Sequence, residues 1–270
     1  MSTGFDAHER ARWSGRAAAY RDTLAALCAG PAESLLDAAG VATGALVLDV
    51  GTGTGTVAAL AGERGARVVA VDAEPSMLSL VRRRLPTVGL ALAALPQLPF
   101  AAGTFDAAVA NFVVNHVGDP LAALRALRRV VRPGGRVAVT IWPHPAPPAQ
   151  QVWPDAFAAA GAVRPADLPR VDAGLDFTRS VDGLTDLLRR AGFAAVGGAM
   201  VGWTHRTDRE AWWDGPANGI GAAGTMLGRQ DAATKARIRV EFDRVTAPFV
   251  DEDGSLALPT SAVLAHGLAA

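Results

Sequence analysis

An aspartate followed by three glycines at alternate positions, Asp49, Gly51, Gly53 and Gly55, closes the apolar run Val47-Leu48-Asp49-Val50. A second apolar run, Val68-Val69-Ala70-Val71, ends in the carboxylate of Asp72. Residues of these types at this spacing are suited to holding a small molecule. Glycines allow positive φ and let a ligand lie directly on the main chain, where a Cβ would collide with it. A carboxylate at the next strand end can accept hydrogen bonds from vicinal hydroxyls. A third glycine three places after Gly53 would complete a dinucleotide-binding fingerprint, but that place is Thr56. His116 adds a group that could react. Its ordinary pKa near 6.5 suits removal of a proton from a hydroxyl, an amine or an acidic carbon. A cap on the next helix, or packing beside the ligand, explains it as well.

Elements that position these groups follow from periodicity. Residues 45–50 are apolar except for Asp49, as in a parallel strand covered on both faces, and residues 56–62 continue as a helix whose free N–H groups face the turn. After Asp72, Glu74-Pro75-Ser76-Met77-Leu78 starts a second helix with Pro in its first turn. A strand opening at Asp106 ends at Asn111-Phe112, beyond which ligands bind in open α/β sheets. Pro120 begins a helix with Leu121, Leu124 and Leu127 inward and Arg125, Arg128, Arg129 and Arg132 on a solvated face. Pro133-Gly134-Gly135 breaks it. A strand over 137–142 then aims Trp142 and His144 at the same crevice.

The order Asp49-Val-Gly51-Thr52-Gly53-Thr-Gly55, then Asp72, then Phe105 to Asn111, then the Arg-Pro-Gly-Gly turn at 132–135, resembles the class I S-adenosylmethionine-dependent methyltransferases, over roughly residues 29–193. The resemblance implies a Rossmann-like, doubly wound α/β fold. Its seven-stranded, mostly parallel sheet would have an antiparallel C-terminal strand, with helical N-terminal and substrate-cap insertions. One domain over 1–270 is expected. Residues 1–29 would form a lid and 30–142 the cofactor-binding half. Caps would lie at 143–180 and 204–250, and the C-terminal half of the sheet at 181–203 and 251–270.

The resemblance also implies the cofactor, S-adenosyl-L-methionine, with S-adenosyl-L-homocysteine as product. Asp49, Gly51, Thr52 and Gly53 would form its turn, and Asp72, beside Ala73, would meet the ribose. Met77 would lie against the adenine, and Asn111 and Phe112 would close the strand end. Tyr20 or Arg12, on the N-terminal helix, would meet the methionine carboxylate. One departure stands out: where the family places an acid for the adenine amino group, this chain has Ala94. The Leu95 N–H remains for a ring nitrogen, and Gln97 could replace the acid. His116 occupies a position where small-molecule members often carry a His. Trp142, His144 and Trp212 are expected at the acceptor, with Trp153 and Trp213 nearby.

With 26 basic and 26 acidic residues the formal charge is zero, so the chain has no electrostatic footprint for a nucleic acid. No stretch approaches the roughly 18 apolar residues of a membrane span. A single cysteine, Cys28, fits a reducing compartment, and a cytoplasmic location is expected. No metal-ligand spacing is present. The expected partner is a small, largely apolar acceptor methylated on O, N or C; the oligomeric state is left open. The other readings are a protein of this fold that binds the cofactor without transferring methyl, and a nicotinamide-dependent oxidoreductase. The latter rests on the glycine turn alone and is opposed by Thr56.

Overall fold

The structure, a computed structural model, describes residues 3–270; residues 1 and 2 of the expected lid lie outside the described residues. Seven strands among the described residues form one sheet: β1 (Leu46–Val50), β2 (Arg67–Asp72), β3 (Gly89–Leu92), β4 (Phe105–Asn111), β5 (Val131–Ile141), β6 (Phe193–Thr207) and β7 (Leu256–Ala269). Their order is β3-β2-β1-β4-β5-β7-β6, with β1 to β5 parallel and β7 antiparallel to both its neighbours. The expected α/β fold with its antiparallel final strand is therefore the observed one.

Side-chain alternation explains why the sheet is doubly covered. On one face Leu48, Ala108, Ala110, Val137 and Val139 share a core with Leu124 and Leu127 of α6 (Pro120–Val130) and Leu184, Leu187 and Leu188 of α8 (Val181–Arg190). On the other face Val47, Ala107, Val109 and Ala138 meet α3 (Ala32–Ala38), α4 (Thr56–Glu63) and Val81 of α5 (Pro75–Arg84). Adjacent residues of one strand thus serve opposite cores, as a period of two requires. Burying these side chains away from water is the main favourable term holding the sheet.

The remaining helices wall the carboxyl ends of the strands. They are α1 (Gly4–Trp13), α2 (Ala17–Ala29), α7 (Pro148–Ala159), α9 (Arg209–Ala217), α10 (Gly221–Gly228) and α11 (Ala232–Thr246). Segments 143–180 and 204–250, separated by α8 and β6, meet in a third apolar cluster. It joins Trp153 and Phe157 of α7, Trp212 of α9 and Phe242 of α11. The glycine-rich stretch at 215–228 is close packing: a Cβ on Gly224 would stand 2.3 Å from the carbonyl carbon of Gly219. No helix of the described residues is long and apolar enough to cross a membrane.

Several boundaries differ from expectation for identifiable reasons. α6 ends at Val130, and β5 starts at once rather than at 137. Phe105 pairs with Val131 and Ala107 with Arg136, so Pro133-Gly134-Gly135 forms a bulge inside the strand. β5 stops at Ile141, leaving Trp142 just past its end. β6 runs on to Thr207 because β7 pairs with it that far. Pro259 sits in β7 opposite Thr204, beyond the last β5 pair, Ile141 with Val263, so its missing N–H removes no bond to β5. Nor are the arginines at the end of α6 simply solvated. Arg129 donates to the carbonyls of Leu98 and Phe100, and Arg132 pairs with Asp106.

Phe105 is fully buried at the start of β4, edge-on to Phe100 at 5.0 Å. Phe105→Ala is expected to cost about 3–5 kcal/mol, read from the midpoint of urea unfolding at unchanged slope.

Candidate functional site

The glycine turn leaves β1 with all three glycines at positive φ: 67° at Gly51, 54° at Gly53 and 84° at Gly55. A Cβ on Gly51 would stand 2.4 Å from a methyl of Val113, so that position is closed to any side chain. The Tyr20 ring lies over Gly53. Asp72 holds the turn from the side: one carboxylate oxygen accepts the Gly53 N–H at 2.8 Å and the other accepts the Glu74 N–H at 2.9 Å. A carboxylate has about four acceptor positions, so two remain for a ligand. Burial pushes the Asp72 pKa up, and these amide bonds pull against it. Among the described residues the Leu95 N–H has no hydrogen-bond partner, while Ala94 pairs with the exposed Gln97 across a tight turn.

Four of the expected cofactor residues, Asp49, Thr52, Asn111 and Phe112, are held by contacts within the protein. Asp49 is 1% exposed and accepts the Thr52 hydroxyl at 2.7 Å, behind the turn. Burial pushes its pKa up to about 7; the Thr52 and Ala58 hydrogen bonds oppose that, and the nearby charge of Asp72 adds to it. Asn111 uses both ends of its amide. Nδ2 donates to the Cys28 carbonyl at 2.7 Å, and Oδ1 accepts the Thr140 hydroxyl at 2.6 Å. It thereby ties α2 to β4 and β5. Phe112 follows at φ 57°, a left-handed conformation costly for a bulky residue. Its N–H bonds to Thr140, and its ring stacks on Trp142 at 3.8 Å. The Cys28 thiol is buried and pushed up to about 12, which removes it as a nucleophile.

Helices α1 and α2 close over this strand end. The Thr3 hydroxyl caps α1 by accepting the Asp6 N–H at 3.1 Å, and Asp6 in turn accepts the Gly118 N–H at 2.7 Å. One turn later Glu9, 4% exposed, brings a carboxylate oxygen 2.7 Å from Nδ1 of His116. Arg12 donates to that same oxygen at 2.5 Å, and its terminal nitrogen lies 3.1 Å from the same ring nitrogen. Trp13 packs edge-on against both His116, at 5.6 Å, and Tyr20, at 5.8 Å. Burial raises the Glu9 pKa, but the hydrogen bond and charge of His116, with the charge of Arg12, outweigh it and leave Glu9 below the usual carboxylate range.

These elements enclose a cavity of about 950 Å³ that runs from the glycine turn to the cap helices. Tyr20, Gly51, Gly53, Asp72, Ala73, Met77, Ala94, Leu95, Asn111, Phe112, His116, Trp142 and Trp212 all line it, as does Arg12. Asp49 and Thr52 do not; they face a separate pocket of about 20 Å³ behind the turn. His144 is also displaced. Its N–H is bonded to the Arg179 carbonyl in the loop leaving β5, and its side chain is exposed, away from the cavity. Gln97 likewise points to solvent and does not line the cavity. Trp153, Phe157, Ile220 and Met226 wall the far end. Glu9 is the group that sequence reasoning missed. Its partner is 107 positions away, and no periodicity links them. Among the described residues no group of three or more His, Cys, Asp or Glu is placed to hold a metal ion.

Comparison with known proteins matches residues 48–139 to the family profile described as "Methyltransferase domain". A demethylmenaquinone methyltransferase of Renibacterium salmoninarum is 38% identical over 111 residues, which cover 41% of this chain and 47% of that protein. The chain spans about half the length of the curated relatives it matches. Among solved structures, a Bacillus halodurans protein described as a methyltransferase superposes with a TM-score of 0.57 at 19% identity, covering 88% of this chain and 98% of that one. The [4+2]-cyclase SpnF superposes with a TM-score of 0.55 at 19% identity, covering 88% and 79%. At these identities the likeness to solved structures is one of fold.

The raised pKa of Asp49 gives a stability signature of definite sign. Between the ordinary carboxylate pKa and about 7 the folded chain holds a proton that the unfolded chain releases, so this residue makes stability fall as pH rises through that window. Asp49→Asn removes the effect. The stability difference between wild type and variant should shift toward the variant by up to about 1.4 kcal/mol per pH unit, measured by urea unfolding at pH 5, 6 and 7.

Proposed function

We propose that the protein transfers a methyl group from S-adenosylmethionine to a small, largely apolar acceptor, a reading supported by the match of residues 48–139 to the methyltransferase-domain profile. The observation that carries the reading is the Asp72 carboxylate, held by the amides of Gly53 and Glu74 on the wall of a cavity that continues into a tryptophan-lined cap. The residues present fit the cofactor. Gly53 offers bare main chain under Tyr20, and Asp72 has acceptor positions left for two ribose hydroxyls. Met77 supplies an apolar wall, and Leu95 an N–H with no partner among the described residues, for the adenine. Arg12, with a buried Nε that has no partner among the described residues, is the group of α1 suited to the methionine carboxylate. Asp49, Thr52 and Asn111 act by holding this surface in place.

When bound, the cofactor supplies a methyl group that is already electrophilic. The chain's part is to align the acceptor, keep water out and take up a proton. His116 lines the cavity and is the group placed for the proton. The Renibacterium relative is named for a demethylmenaquinone, and the far end of the cavity, between Trp153, Trp212 and Phe157, suits a flat apolar ring of that kind.

A second reading is that this fold binds the cofactor and hosts a reaction other than methyl transfer. Two observations favour it: Ala94 brings no carboxylate to the adenine, and a protein of the same fold is named as a [4+2]-cyclase. Losing one neutral hydrogen bond costs only about 0.5–1.5 kcal/mol, which weakens binding without abolishing it.

Calorimetric titration with S-adenosylmethionine and S-adenosylhomocysteine tests the shared premise. Both should bind, and Asp72→Ala should lower affinity about ten- to hundredfold, the worth of lost charge-assisted hydrogen bonds. Affinity unchanged in a folded variant would move the site elsewhere. Reduced 1,4-naphthoquinone with a free ring position, offered with S-adenosylmethionine, should be methylated, and His116→Ala should slow this by about 10²-fold or more with cofactor affinity kept. Binding without transfer to this or any other acceptor favours the second reading.

A further inference from the structure

We propose that Glu9, on the N-terminal helix, is a positioning residue that fixes His116 as the Nδ1–H tautomer and leaves Nε2 bare to take the acceptor's proton, so that the base is complete only when α1 is docked. The inference rests on the reading of His116 as the proton acceptor and adds what makes it one.

The geometry fixes which ring nitrogen carries a hydrogen. A carboxylate oxygen 2.7 Å from an unprotonated ring nitrogen would bring two lone pairs together, so Nδ1 must carry the hydrogen that bridges to Glu9. Arg12 has only donors. It cannot use Nδ1 as an acceptor while that hydrogen is present, and it bonds the same Glu9 oxygen at 2.5 Å. Glu9 is buried and Arg12 sits one turn further along the same helix, so the carboxylate is held charged by two partners instead of by water. Trp13, edge-on to the imidazole, fixes the ring plane. A neutral imidazole with Nδ1 engaged presents Nε2 as its only lone pair.

That arrangement also selects a class of acceptor. A carboxylate-oriented base serves a nucleophile that must lose a proton as it reacts: a phenol, an enol or an acidic ring carbon of a reduced quinone. A tertiary amine has no such need. In the step, the acceptor's oxygen or carbon forms the bond to the methyl carbon, and the carbon–sulfur bond breaks with its electron pair left on sulfur. The acceptor's proton passes to His116 Nε2.

Docking of α1 is built into the same contacts. Asp6 accepts the Gly118 N–H two residues beyond His116, and a Cβ on Gly118 would stand 1.9 Å from the Thr3 hydroxyl, so only glycine lets the helix start seat there.

Long-range ¹H–¹⁵N NMR on ring-labelled protein reads the tautomer directly, with no acceptor needed. Wild type should show His116 as Nδ1–H with a bare Nε2, whereas Glu9→Ala and the isosteric Glu9→Gln should move it toward the Nε2–H form that a free imidazole prefers. Turnover of the reduced naphthoquinone should fall about 10²-fold or more in kcat, with the S-adenosylmethionine Kd within about threefold. An Nε2–H tautomer in wild type, or one unmoved by both substitutions, overturns the proposal. If Glu9 variants lose nothing while His116→Ala loses turnover, only the positioning role fails. If His116→Ala also loses nothing, the base itself was wrongly placed.

Discussion

Two carboxylates on the first helix, Asp6 and Glu9, are taken out of water and meet partners both within that helix and on a strand exit more than a hundred residues away. A buried charge without a partner is costly by several kcal/mol, so this constraint fixes where α1 can lie. Asp6 is satisfied at the Thr3 N–H and hydroxyl and at the Gly118 amide, and Glu9 at Arg12 and His116. Once α1 is so placed, Trp13 meets Tyr20, Tyr20 covers Gly53, and the cavity acquires its roof. The roof is thus set by electrostatic satisfaction, while the floor is set by the packing of β1 and β4 between two apolar layers.

The two aspartates at the ends of β1 and β2 divide their work according to surroundings. Asp49 is enclosed behind the glycine turn, bonded to Thr52, and stiffens the backbone from within. Asp72 reaches the cavity and spends part of its acceptor capacity on the turn itself. One residue type therefore serves as a strut in one place and as a contact surface in the other, although the sequence presents them alike.

What was legible in the sequence was whatever repeats locally. Alternation at Val47, Leu48 and Val50, glycines at every second position, and a proline at the start of α5 and of α6 are short-range signals, and they placed the sheet and its turn. Nothing local marks Glu9, because its meaning comes from His116 on another element. His144 was misplaced for the converse reason. Direction along β5 was extrapolated past the strand's end, where the chain bends away and its amide is captured by Arg179. The run 131–136 misled because a proline and two glycines can interrupt a helix or bulge a strand, and the pairing of Phe105 with Val131 decides for the latter.

Asn111 joins the Cys28 carbonyl to the Thr140 hydroxyl and so staples the end of α2 to the middle of the sheet. α1 meets the loop after β4 through a polar clasp at Asp6 and Glu9. Gly15, at φ 71°, joins the two helices. The cavity wall therefore has two seams of different kinds, an amide staple under α2 and a carboxylate clasp under α1 with Trp13 packed on His116 and Tyr20. A chamber lined largely by apolar side chains is in this way roofed by a helix whose place is set by charge.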